Sequence, residues 1–182
     1  MGGRGIRTKG AWVLAVPFFV VARPTPGPLA VGVVLAALGL ALRGWAAGTI
    51  QKEVWLATGG PYAFTRNPLY LGSLLIGTGM TLGGGHWVWP AIFLAFFAGV
   101  YRRAMAEEGR HLREIFGERY DAYTTAVPAL VPRLTPYAPE KVHGIDDAAA
   151  DGFRWSRYLR NREWEALLGT LAAFTLLGWK LV

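Results

Sequence analysis

Residues 28–48 read PLAVGVVLAALGLALRGWAAG, and Arg43 is the one charged side chain among them. A helix needs about 20 mostly apolar residues to cross ~30 Å of hydrocarbon at a rise of ~1.5 Å per residue. This run meets that length, and three more meet or approach it, over residues 68–85, 87–101 and 164–182. A fifth, Ala11 to Ala22, is short, contains Pro17 and runs into Arg23-Pro24-Thr25-Pro26-Gly27-Pro28. It either crosses by starting near Ile6 or forms a tight hairpin with the next helix. A basic start before an apolar run also opens a cleaved leader, but no small-residue cleavage site precedes Arg23, and the proline-rich turn leads straight into another span. The expectation is an all-α, polytopic membrane helix bundle with about five transmembrane helices. It forms a single domain over residues 1–182, with a cytosolic helical cap from Tyr101 to about Arg162 and a last transmembrane helix near 163–182.

Composition agrees. The 182-residue chain is 53% hydrophobic and 17% charged, where a soluble domain carries roughly 25% charge. It has no cysteine, which excludes disulfides, thiolate metal sites and cysteine nucleophiles. His86, His111 and His143 are scattered without ligand-like spacing, so no metal site is expected. A net charge of +7 in a soluble protein points to nucleic acid. In a membrane protein it reports the collection of Lys and Arg in cytoplasmic loops, and no nucleic-acid partner is expected.

That rule also orients the chain. With the N-terminus inside and five crossings, Arg4, Arg7, Lys9, Lys52, Arg66, Arg102, Arg103 and every basic residue from Arg110 to Arg162 lie inside. Arg23 and Lys180 fall outside, and Arg43 sits within a span near its inner end. The N-terminus is therefore expected in the cytoplasm and the C-terminus outside.

Two segments depart from ordinary membrane-helix sequence. The first is residues 59–72, GGPYAFTRNPLYLG. Asn67 followed by Pro68 reads as an N-cap and first helical residue. The helix thus begins at the inner face, its free N–H groups and positive dipole end favouring a carboxylate or phosphate. Arg66 adds a cation with bidentate geometry, Tyr70 lies one turn in on the same side, and Gly72 permits close approach. An arginine that merely anchors the helix at the headgroups gives the same pattern. The second segment is residues 107–123, EEGRHLREIFGERYDAY. It continues the helix that returns to the inside after the tight Gly83-Gly84-Gly85 turn. Antiparallel neighbours joined by such a turn bring Glu107 and Glu108 toward Arg66, Asn67 and Tyr70. From Arg113 onward the pattern is that of a solvated face laced with ion pairs.

The pair of segments resembles the isoprenylcysteine carboxyl methyltransferase and phospholipid methyltransferase superfamily. Residues 59–72 are similar to its G-P-Y…R-H-P-x-Y-x-G motif. Residues 107–123 are similar to its paired glutamates followed by L-x-x-x-F-G-x-x-Y-x-x-Y, and a V-P…P tail follows, here Val127-Pro128 and Val131-Pro132. The resemblance covers roughly Thr58 to Arg133. It implies an S-adenosylmethionine pocket at the cytosolic face, a cofactor-binding core over about 58–133, and a lipophilic acceptor arriving from the membrane lipid. The acceptor can be a prenylcysteine-like carboxylate, a lipid amine or another small hydrophobic nucleophile. By position the cofactor-holding residues carry onto Arg66, Pro68, Tyr70, Gly72 and Glu108, with Asn67 where the family has His. Gly109 stands where the other glutamate of the pair falls, so Glu107 carries over only if the helix turn brings it in. Arg66 and the helix start suit the cofactor's carboxylate, Glu108 its ammonium and ribose hydroxyls, and the face of Tyr62, Phe64 or Tyr70 its sulfonium. Arg66, Asn67, Tyr70 and Glu108 are thus the expected catalytic set, and Trp164, on the aromatic approach to the last span, is expected to line an entrance for the acceptor. Two rivals share these features. A nicotinamide-dependent membrane reductase of the sterol reductase type usually has Asn after the Pro and an acidic residue after the Gly, where this chain has Leu69 and Ser73. A non-catalytic membrane adaptor leaves the polar constellation at the helix end without a use.

Overall fold

A computed structural model describes residues 13–50, 55–138 and 152–181. Among the described residues the protein is all-α, with seven helices and no strand. They are α1 over 13–21, α2 Pro26–Thr49, α3 Pro68–Gly83, α4 Val88–Phe116, α5 Glu118–Ala126, α6 Trp155–Arg160 and α7 Trp164–Trp179, with a 3₁₀ turn at Gly60–Ala63. The proposed start near Ile6, and residues 139–151 of the expected cap, lie outside the described residues. Among those described, α2 alone is long and apolar enough to cross a membrane, and α7 is a shorter apolar helix. The boundaries follow local chemistry. Pro26 and Pro68 open α2 and α3, where a missing N–H costs nothing. Gly85, with φ +80°, makes the turn after α3, a conformation that L side chains avoid.

The chain folds into two compact units, each drawn from several stretches. The first takes residues up to Leu40, Ser73–Ala104 and Leu167–Val182. Its core is Phe18, Ala22 and Leu177, with Phe19, Leu29, Met80, Trp89 and Phe174 packed against it. The Phe18 and Trp89 rings meet edge to face, 5.4 Å apart. The helices here touch backbone to backbone. A Cβ built on Gly32 would lie 2.3 Å from the Gly79 carbonyl oxygen, and one on Gly79 would lie 2.4 Å from that of Gly32. Lys180 donates from Nζ to the carbonyls of Phe19 and Val20 at 2.8 and 3.1 Å, closing the last turn of α1.

The second unit takes Ala41–Gly72 and Met105–Ala166. Its core is Leu56, Tyr120, Tyr123 and Val127, with Leu112, Phe116 and Tyr137 packed around them. The sequence pattern over Arg102–Tyr123 reads as one helix, but the structure breaks it. Gly117, with φ +54°, separates α4 from α5 and its N–H closes on the Arg113 carbonyl at 2.9 Å. The break turns Tyr120 and Tyr123 into the core. The α6 region caps the end of α2: the Arg154 N–H donates to the Gly48 carbonyl, Arg157 Nη1 to that of Thr49 and Asn161 Nδ2 to that of Ala47, all within 3.1 Å. Such donors satisfy the free carbonyls at a helix C-terminus, and the Arg157 cation also complements its dipole.

Candidate functional site

The stretch from Ala63 to Asn67 is held by the arm that follows α5. The Arg66 N–H donates to the Pro128 carbonyl at 3.0 Å, and in return the Arg133 and Tyr137 N–H groups donate to Phe64 and Ala63, both at 2.9 Å. Thr65, almost wholly buried, donates from Oγ1 to the Leu130 carbonyl at 3.1 Å. The Val-Pro tail is therefore the partner of the Gly-Pro-Tyr segment. Its prolines donate nothing and keep the arm extended, which leaves carbonyls free to accept. Asn67 takes one of them. Its Nδ2 donates to the Ala129 carbonyl at 2.8 Å. This bond uses the amide's donor side; an N-cap uses its oxygen, so the bond to Ala129 is compatible with the capping of α3 expected from this side chain.

A cleft of ≈ 120 Å³ opens in this unit. One wall carries Tyr62, Arg66 and Asn67, and another carries Met105, Glu108, Gly109 and Leu112 from α4. Trp55 and Leu56 close a third side, and Tyr120 and Tyr123 form the floor. Tyr70 reaches the cleft through Glu108, donating its hydroxyl to Oε2 at 2.9 Å. Four of the expected residues, Tyr62, Arg66, Asn67 and Glu108, thus line one cleft, and Tyr70 bonds to one of them. Pro68 and Gly72 are buried away from it, exposed Glu107 does not line it, and Trp164, 41% exposed at the start of α7, stands outside it.

Two polar atoms on this lining are buried and make no hydrogen bond, Tyr62 Oη and Arg66 Nε. A buried donor without a partner loses the bond water would have made. Burial first, and then the negative charge of Glu108, push the Tyr62 phenol well above its ordinary range, so it remains a donor. The Tyr123 phenol is likewise pushed up, chiefly by burial and against the pull of Arg66. Its hydroxyl donates to the Tyr62 carbonyl at 2.6 Å and so fixes the segment that carries Tyr62. The cleft therefore pairs two waiting donors, one of them cationic, with a carboxylate. That set matches a ligand with an anionic group at one end and ammonium or hydroxyl donors at the other.

Sequence reasoning missed Trp55 and Met105 as lining residues. Met105 carried a signal, since it shares a helix face with Glu108 and Leu112 at spacings of three and four. Trp55 carried none. The buried Arg157 guanidinium lies over its ring at 5.6 Å, a contact between residues far apart in the chain.

Residues 28–119, half of the chain, match the phospholipid methyltransferase family, and the chain belongs to it. It is also similar to two curated proteins. It is 35% identical over 111 residues to the cobalt-zinc-cadmium resistance protein CzcN of Cupriavidus metallidurans, covering 60% of this chain and 50% of that protein. It is 27% identical over 84 residues to the protein-S-isoprenylcysteine O-methyltransferase of Schizosaccharomyces pombe, covering 46% of this chain and 36% of that protein. The chain spans half of the first relative's length and about a third of the second's. No solved structure matches it. The superfamily expected from the two motifs is therefore the one the chain belongs to. The match takes in the whole first motif and ends within the second, while α6 and α7 lie beyond it.

Proposed function

We propose that the chain is an integral membrane methyltransferase that uses S-adenosylmethionine to methylate a lipophilic acceptor at the cytosolic membrane face. Family membership supports the reaction class. The observation that carries the cofactor is the pair of unsatisfied donors, Tyr62 Oη and Arg66 Nε, on a cleft that also presents Glu108. When bound, S-adenosylmethionine supplies an electrophilic methyl group on a sulfonium. The chain's task is then alignment, which can contribute several kcal/mol, at most ~7–11, to lowering a barrier. Arg66 and the Tyr62 hydroxyl hold the carboxylate. Glu108, oriented by Tyr70, accepts from ammonium or ribose hydroxyls. Tyr62 also lines the cleft and is the ring proposed for the sulfonium, since Trp55 already carries the Arg157 guanidinium.

The membrane reading rests on the apolar surface as well as on length. Val31, Val34 and Leu38 of α2, Leu168 and Leu171 of α7, and Val13, Val16 and Val20 of α1 are all more than half exposed. Water would leave such surfaces unpaid for by burial, whereas lipid does not. The chain is read as multi-pass, with α1, α3 and the apolar part of α4 beside α2 and α7, its N-terminus cytoplasmic and its C-terminus outside. Lipophilic acceptors then arrive from the bilayer.

Calorimetric titration of the purified protein in detergent, with S-adenosylhomocysteine and with NADPH, tests the proposal. Binding of the first and not the second is expected. Binding of NADPH alone would replace the transferase reading with a reductase one.

A further inference from the structure

Arg43 stands in an otherwise apolar helix, where a charge is costly unless partnered and where an ionisable side chain is a functional candidate by default. Its guanidinium serves Glu163 and the backbone of α3. Nε donates to Glu163 Oε2 at 2.9 Å and Nη2 to Glu163 Oε1 at 2.8 Å, a fork-to-fork pair. Nη1 turns instead to the Leu69 carbonyl at 3.2 Å. The two charged side chains keep 21% and 10% of their surface exposed. Leu69 lies between Arg66, which lines the cleft, and Tyr70, which orients Glu108, and it belongs to the first turn of α3. Glu163 follows α6, well beyond the residues the family match covers.

We infer that Arg43 and Glu163 form a positioning pair for the cleft: Glu163 locks the guanidinium fork, and the fork holds the Leu69 carbonyl so that the Arg66–Tyr70 turn presents its side chains correctly. The geometry distinguishes this role from helix-to-helix glue. Glue needs two partners, and an apolar pair of similar volume serves as well as or better than a buried ion pair. A third contact, on the backbone carbonyl next to Tyr70 in the turn that carries the site residues, goes beyond what glue requires. The pair is also within electrostatic reach of the Tyr62 hydroxyl, on which Glu163 and Arg43 act in opposite senses. Lysine cannot replace arginine here, because a single ammonium cannot make a planar two-pronged pair and a separately directed third bond.

The inference rests on the cofactor reading for its binding measurement alone. The double variant Arg43→Met/Glu163→Leu removes the contact with Leu69 without stranding a charge, and Arg43→Lys keeps the charge while losing the fork. Each full-length variant is compared with wild type by thermal midpoint in detergent, by ligand-free hydrogen exchange of peptides covering residues 66–73 and 88–100, and by S-adenosylhomocysteine affinity. Both variants are expected to keep a midpoint near wild type, to exchange severalfold faster over 66–73 and unchanged over 88–100, and to bind at least tenfold more weakly. Wild-type exchange over 66–73, or an equal rise over both peptides, would overturn the positioning role. If wild type itself fails to bind while the exchange pattern is as expected, the cofactor reading falls and the positioning of the turn stands. Should the double variant not fold, Arg43→Lys decides between the same outcomes.

Discussion

The Tyr70 hydroxyl donates to Glu108 Oε2 at 2.9 Å, linking side chains 38 positions apart. One comes from the first turn of α3 and the other from the charged part of α4. Glu108 is exposed, so without this bond its carboxylate has several rotamers to choose from, and binding a ligand would then cost side-chain entropy. Tyr70→Phe should weaken S-adenosylhomocysteine binding by about five-fold, the equivalent of ~1 kcal/mol, with no loss of folding. Unchanged affinity would show that Glu108 needs no orienting partner.

Arg66→Ala and Glu108→Gln should be more severe. Each removes a charge-assisted bond worth ~1.5–3 kcal/mol, or about ten- to a hundred-fold in affinity. Arg113→Ala is the control. Arg113 pairs with Asp121 at 2.6 Å on a face where both side chains are more than half exposed, and such pairs contribute ~0–1 kcal/mol. Titration calorimetry should show two large losses and one negligible one. Three equal effects would mean that the ligand sits elsewhere.

The two buried phenols make stability fall in alkali. Tyr62 and Tyr123 ionise well above 10.0 in the folded chain and near 10 when unfolded. Below that value both states are protonated and the phenols' contribution is fully present. As pH rises past it, the unfolded chain releases protons that the folded chain keeps, so stability declines. Thermal midpoints measured from pH 8 to 11 should drop, and Tyr123→Phe should drop with a shallower slope. At pH 7 the same variant should be destabilised by ~1–3 kcal/mol, because the Tyr62 carbonyl loses its buried donor. A slope identical to wild type would contradict the burial of that hydroxyl.

Topology is open to a direct check, since the chain has no cysteine of its own. His86→Cys, in the exposed turn before α4, and Leu134→Cys, 98% exposed in the arm after α5, should react with an impermeant maleimide from opposite sides of a sealed membrane. The first should label from outside and the second only after permeabilisation. Labelling of both from one side would break the orientation drawn from the basic residues.

Much of the fold was legible because the lengths of the apolar runs and the local turns mark it. The runs over 28–48, 68–85 and 164–182 appear as α2, α3 and α7 within a few residues. The meeting of Glu108 with Tyr70 followed from a single piece of geometry, two antiparallel helices joined at Gly83-Gly84-Gly85. What could not be read is what the chain pairs at long range. Asn67 before Pro68 has every local mark of a cap, and nothing local shows that its Nδ2 also reaches Ala129, 62 positions on. Arg43 has the appearance of a stray charge near the end of a span, and its partner Glu163 is 120 positions away. Gly117 lay within a helical pattern in which only its lack of a side chain hinted at a break. Trp164 shares its aromatic signal with the residues that sit at membrane surfaces for anchoring, so sequence alone does not separate an acceptor entrance from an anchor.

The reciprocal contact of Gly32 with Gly79 bears on how loss of activity in this protein should be interpreted. Each backbone carbonyl occupies the space where the other residue's first side-chain carbon would go, so neither position tolerates even a methyl group, and no change at one relieves the other. In a saturation screen scored by methyl transfer, these two positions should be as barren as Arg66 or Glu108, though no ligand would ever touch them. They should part company only in a further screen scored by the amount of folded protein in the membrane. There the glycine variants should vanish from the population, while the cleft variants should persist at normal abundance, silent but intact.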